Sequence, residues 1–199
     1  MKTVLPSIPP EVLAWRKKTG ADRWDEMWDG VYHMGPSPNY FHQDFIGALE
    51  NYLRLHWAPR CGGKVLHEWN VAPPSEDWRQ NYRIPDLVLF TPERASGNKI
   101  EYFEGGPDVV LEMQSPGDES EAKLPFYFKL GVAEVWLIHR DTKAVRVLVH
   151  GPQSFVAAPR AADGWIASAA TGVAMRRREE NKLEICIAGD ETTRTLIPA

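Results

Sequence analysis

Asp86 and Glu112 each sit inside an otherwise apolar run, residues 84–90 and 108–114, and no other feature restricts the folds open to this chain as much. An ionised carboxylate in a buried strand is costly unless something positive meets it. Period-two alternation sets Asp86 on one face with Ile84 and Val88, and Asp108, Val110, Glu112 and Gln114 on one face of the second run. If the two strands are neighbours, both carboxylates can point into one cleft. A divalent cation is then the simplest partner, because two hard oxygen ligands at strand ends suit Mg²⁺, which keeps its waters and takes substrate phosphate as a further ligand. The two runs therefore point to phosphodiester chemistry at a metal-binding cleft.

The composition fits one globular domain. Of 199 residues, 43% are hydrophobic and 25% charged, which supplies a real core and excludes disorder for most of the chain. Eight Trp and seven Phe add large buried area, while 16 Pro and 15 Gly imply many turns and a mixed fold rather than a helical bundle. The net charge of -4 argues against a wholly basic nucleic-acid coat protein. It leaves a nuclease open, since a bound cation offsets an acidic site and phosphate contact needs only a local basic stripe. Cys61 and Cys186 stand apart with no CxxC pair, so both read as reduced thiols. The first ten residues break at Pro6 before a signal-type apolar region forms, and no later run approaches membrane-spanning length. The expected location is the cytoplasm.

Along the chain, Pro9 and Pro10 open a short helix over residues 11–18 that Gly20 ends. Residues 24–34 read as a strand or turn-strand. Phe45, Ile46, Leu49, Tyr52, Leu53 and His56 fall at helical spacing and predict an amphipathic helix over 40–57. Residues 64–72 alternate as one strand. The Asp86 strand, a loop over 91–106 and the Glu112 strand follow. Ser115, Pro116 and Gly117 end that strand, and Asp118 with Glu121 resembles a capping box opening a helix to about residue 130, which Gly131 stops. Residues 135–139 and 144–149 look like two strands joined by a hairpin-like turn, and further strands are expected at 154–157, 165–169, 173–178 and 183–187. The order predicts an α/β or α+β fold with a central mixed sheet flanked by helices, in a single domain over 1–199 with its core at about 25–150 and extra C-terminal strands over 151–190.

These residues carry a family resemblance. Pro85-Asp86, then Glu112-x-Gln114, then a strand-turn-helix with Lys123 resembles the PD-(D/E)XK nuclease superfamily, and more closely its Uma-type branch of restriction-endonuclease-like proteins. The segment from Glu112 through Pro116 is similar to that branch's E-V-x-S-P pattern. Lys123, Leu124 and Tyr127 resemble its K-L-x-x-Y run, and residues 131–138 its G-V-x-E-Y-W-L-V run. Upstream, Asp29-Gly30 and residues 37–42 match its approach to the first long helix. The resemblance covers about residues 25–150.

The resemblance implies a restriction-endonuclease-like core, Asp86 and Glu112 as metal ligands with the Met113 carbonyl as a third, Mg²⁺ (or Mn²⁺) as cofactor, DNA as the nucleic-acid partner and, for cutting both strands, a homodimer. Gln114 occupies the superfamily's usual lysine position; glutamine orients a water but supplies no charge. Lys123 is the substitute that stabilises the transition state. Pro125 is a second departure, harmless only if the helix begins close enough to keep it in the first turn. These departures motivate an alternative, a nucleic-acid-binding or regulatory module without turnover.

Blander readings stand beside these. Asp86 could satisfy a turn at a strand end, and Glu112 could pair with Arg83 or Lys123. His42 is either an outer participant or a capping or core-rim histidine. Glu50 and Glu68 are outer-shell candidates against a solvated helix residue and a strand-face salt bridge. Arg79, Arg83 and Lys129 are placed, by position alone, as contacts to flanking phosphates. His139-Arg140-Asp141 has the order of a kinase catalytic loop, but without its companion motifs it reads as a strand end entering a turn. Arg176-Arg177-Arg178 reads as a solvated edge strand.

Overall fold

The computed structural model describes residues 3–5, 8–115 and 117–197. Its elements are β1 (Thr3–Leu5), α1 (Pro10–Thr19), β2 (Glu26–Trp28), β3 (Val31–Met34), α2 (Tyr40–His56), the single turn α3 (Ala58–Cys61), β4 (Lys64–His67), β5 (Val71–Ala72), β6 (Leu87–Phe90), β7 (Phe103–Glu104), β8 (Val109–Gln114), α4 (Leu124–Leu130), β9 (Glu134–His139), β10 (Val145–His150), β11 (Phe155–Ala157), β12 (Ile166–Ala167), β13 (Val173–Arg177), β14 (Leu183–Ile187) and β15 (Asp190–Ile197). Pro116, on which the turn after the Glu112 strand partly rests, and Pro6, at which the first ten residues are expected to break, lie outside the described residues.

Among the described residues, six strands form the central sheet in the order β11-β10-β9-β8-β6-β4. Its one parallel pair is β8 with β9, where Glu112 lies beside Leu137; the other neighbours run antiparallel. The fold is therefore the mixed α+β arrangement that the sequence predicts, with helices on both sheet faces. Alternation along β6 and β8 divides the core. Leu87, Leu89, Val109, Leu111 and Met113 join the buried face of α2 through Phe45, Leu49 and Leu53. Val88 and Val110 join Phe126 and Tyr127 of α4 on the other side. The first cluster continues into an antiparallel sheet, β12-β13-β14-β15, through Val173, Met175, Leu183 and Ile185. No helix among the described residues is long and apolar enough to cross a membrane.

Several elements sit where the sequence puts them. Pro10 lies in the first turn of α1, and Gly20 ends it in the left-handed region. Asn39 caps α2 by accepting a hydrogen bond from the His42 amide at 3.0 Å. A tight turn at Asp29 and Gly30, both at positive φ, joins β2 to β3.

Three differences stand out. The strand expected over 64–72 is two strands, because Glu68 takes a left-handed φ of 47° and breaks the alternation. The loop over 91–106 contains the short strand β7, which pairs in parallel with β5. Asp118 accepts from the amides of Ser115 and Ser120, but a 3₁₀ turn over Glu121–Lys123 precedes α4. Pro125 thus falls in the first turn of α4, where a missing N–H costs nothing.

Candidate active site

Where β6 begins and β8 ends, the hairpin β2–β3, the loop before α2 and the turn before α4 enclose a cavity of about 350 Å³. Its wall includes Glu26, His42, Glu68, Asp86, Glu112, Met113, Asp118, Glu119, Lys123 and Arg140. Carboxylates dominate this lining, so an approaching phosphate meets mostly repulsion unless cations intervene.

Asp86 lies one residue before β6, because Pro85 delays the start of the ladder. Leu87 pairs with Leu111, and that register continued by one step sets Asp86 across from Glu112. On the β6 side, beyond the paired residues, the Met113 amide donates to Asp86 Oδ2 at 2.6 Å. Asp86 Oδ1 meets His42 Nε2 at 3.1 Å, reaching across from α2. Burial opposes a proton on His42, but the Asp86 hydrogen bond and charge outweigh it, and the pKa of His42 is raised.

Glu112 is enclosed far more completely. Lys123 Nζ donates to its two oxygens at 2.8 and 3.0 Å, and the Tyr127 hydroxyl donates at 2.6 Å. Burial pushes the Glu112 carboxyl up to about 7; Lys123 opposes the shift, and the charges of Asp86 and Glu26 add to it. Lys123 is itself only 4% exposed. Burial works against its charge, yet Glu112 and Glu26 together hold its pKa above the ordinary lysine value. Glu26, 2.8 Å from the same ammonium, is fixed by the Ile84 amide at 2.9 Å and the Trp28 indole N–H at 2.8 Å. The result is one buried cation caged by two carboxylates, with Tyr127 as a further donor. The tyrosine is in turn driven well above its ordinary pKa by burial and by Glu112.

The floor of this cage is a stack of planar groups. Arg83 has its guanidinium carbon 4.2 Å from the Trp28 ring centroid and 4.0 Å from that of Phe126. Trp28 stacks on His33 at 4.0 Å, and His33 Nδ1 lies 3.1 Å from Glu119 Oε2. This corrects the expectation that Arg83 touches flanking phosphates: it is 3% exposed and donates to the carbonyls of Met27 and Tyr82 and to Asn81. Burial lowers its pKa against the pull of Glu26.

The cavity thus gathers Asp86, Glu112, Met113, Lys123, His42 and Glu68. Glu68 accepts from the Trp24 indole at 2.8 Å and from Gln43 at 3.2 Å. Gln114 does not line the cavity; its amide donates to Glu121 at 3.3 Å, beside the Arg146–Glu121 pair. Glu50 pairs with Arg54 and His67 outside the cavity. Arg79 is exposed, paired with Glu101 and set over the Trp78 ring, and Lys129 is exposed in the last turn of α4; neither lines the cavity.

Glu26 and Arg140 were missed from sequence. Glu26 carried a usable signal, since Trp24, Glu26 and Trp28 alternate at period two as a carboxylate between tryptophans. Arg140 follows β9, pairs with Asp141 at 2.8 Å and still lines the cavity. No group of three or more His, Cys, Asp or Glu among the described residues is arranged to hold a metal ion, so a cation here would rest on two carboxylates, a carbonyl and water.

A family model described as Uma2, putative restriction endonuclease, matches residues 9–175. Among solved structures, the crystal structure of a putative nuclease belonging to DUF820 from Anabaena variabilis is similar with a TM-score of 0.57. The two are 17% identical, and the match covers 72% of this chain and 80% of that one, a likeness of fold. No curated protein matches.

Proposed function

The chain belongs to the Uma2 family, and from that premise we propose that the cavity is the active site of a Mg²⁺-dependent endonuclease hydrolysing DNA phosphodiester bonds. The observation that carries this reading is the meeting of Asp86, Glu112 and Lys123 in one cavity. A carboxylate offers about four lone-pair positions. Asp86 accepts from His42 and Met113, and Glu112 from Lys123 and Tyr127, so both retain capacity for a hard cation. Mg²⁺ characteristically takes one or two carboxylates and completes its shell with water and phosphate.

Asp86, Glu112 and the Met113 carbonyl would hold the ion, which when bound polarises a phosphoryl oxygen and lowers the pKa of a coordinated water. The chain supplies the rest. His42 orients Asp86, and Tyr127 fixes the Glu112 carboxylate. Lys123 stays protonated and places a desolvated positive charge where the phosphorane develops negative charge. Arg140, at the end of β9 beside the Glu112 strand, would meet a phosphate oxygen.

Nicking of supercoiled plasmid tests the reading. Wild type should nick with Mg²⁺ or Mn²⁺ and stop with EDTA, and Asp86→Ala and Glu112→Ala should each lose about 10²-fold or more while still folding. Equal nicking by wild type and both variants would remove the catalytic role. The closure of Lys123 and Tyr127 over Glu112 favours a second reading, a nucleic-acid-binding or regulatory module. That reading expects salt-dependent DNA binding and no cleavage with either metal.

A further inference from the structure

The cavity is acidic, so a nucleic-acid strand that reaches it needs a neighbouring surface to hold its phosphates. A second cavity of about 390 Å³ is lined by Arg23, Arg54, Leu66, His67, Glu68 and Trp69. Its lining differs from the first, with two arginines and a histidine against one carboxylate, Glu68, and with Glu50 paired to Arg54 and His67 beside it. Glu68 belongs to both walls, and a small cavity of about 80 Å³ shares His42 and Asp86 with the first and His67 with the second. The left-handed bend at Glu68 makes this junction: Glu68 turns to Trp24 and Gln43, while the preceding His67 stays exposed beside Glu50.

The cations of this second cavity are available to a ligand. Arg23 is exposed over the Trp24 ring and has no ion pair among the described residues. Arg54 is 53% exposed and, among the described residues, held only by Glu50, one helical turn away, an arrangement that water already competes for. The guanidinium fork matches two phosphate oxygens at once, which an ammonium does not.

We infer that this cavity is a docking site for the phosphodiester backbone of the strand entering the active site, with Arg23 and Arg54 as its phosphate contacts. The inference rests on the nuclease reading and adds the path the substrate takes. Arg79 and Lys129, the exposed cations expected from sequence, lie on neither wall.

Anisotropy titrations of a labelled single-stranded DNA oligonucleotide and its duplex across a KCl series provide the test, with Ca²⁺ in place of Mg²⁺ to prevent turnover. Arg23→Gln/Arg54→Gln and Arg79→Gln/Lys129→Gln remove the same formal charge. The first pair should weaken binding by about tenfold and flatten the slope of log K against log salt by about 1.5 to 2. The second should bind like wild type, and Arg23→Lys/Arg54→Lys should recover most of the salt slope. Equal losses in the two Gln pairs, with plasmid nicking by wild type intact, would overturn the docking site and leave the nuclease reading standing. Absence of both salt-dependent binding and nicking in wild type would overturn both.

Discussion

Glu112 stands on β8 and Asp86 just ahead of the neighbouring strand β6, yet they live in different electrostatic worlds. The Glu112 side chain is 6% exposed and shares a lysine with a second buried carboxylate, whereas Asp86 is 17% exposed and leans on one imidazole and one backbone amide. Glu112 is thus part of the folding problem, because its charge is tolerable only while Lys123 stays in place. Asp86 is the more exposed of the two and is not caged. A site divided in this way keeps one carboxylate fixed by the fold and leaves the other to respond to what binds.

The strongest way to break the contrast is Lys123→Met. It leaves Glu26 and Glu112 buried together without their cation and should cost about 3–5 kcal/mol in urea unfolding. A loss below about 1 kcal/mol would mean that the cage contributes nothing to the fold.

A graded effect should appear in stability against pH, measured without divalent ions. The folded pKa of Glu112 is raised to about 7 from 4.5, so the native state holds an extra proton between those values. Stability should therefore fall as pH rises through that window, on the order of 3 kcal/mol, and level off above it. Glu112→Gln should remove that slope. His42, whose pKa is raised above 6.5, contributes in the same direction, and its share is lost as pH rises through its folded value.

The smallest effect is expected at Asp86→Asn, with unfolding free energy changed by about 1 kcal/mol or less. The His42 titration midpoint, followed by NMR, should fall because the charge that raised it is gone. An unchanged midpoint would show that Asp86 is not what holds the proton there.

The parts legible in sequence are those where one periodicity governs a whole element. The spacing of Phe45, Ile46, Leu49, Tyr52 and Leu53 gives α2, and the apolar runs around Leu87 and Leu111 give two adjacent strands. β15 escaped, because of its eight residues only Thr193 and Ile197 are buried and no apolar alternation marks it. The break at Glu68 escaped because a left-handed backbone at a non-glycine residue leaves no compositional trace. Arg83 was misread for a related reason: an arginine near a proline in a polar stretch looks solvated, and only the arrival of Trp28 and Phe126 from distant segments makes it interior. Glu26 depends on the same long-range assembly, and its one trace in the sequence is the alternation of Trp24, Glu26 and Trp28 around a strand of three residues.

The guanidinium wedged between Trp28 and Phe126 binds the hairpin that bears Glu26 to the helix that bears Tyr127. Trimming either ring leaves a charge facing a void, and shortening the arginine lets the two plates collapse on each other. Three positions scattered along the polypeptide therefore depend on one another, so a change at any one of them loosens the seam between hairpin and helix.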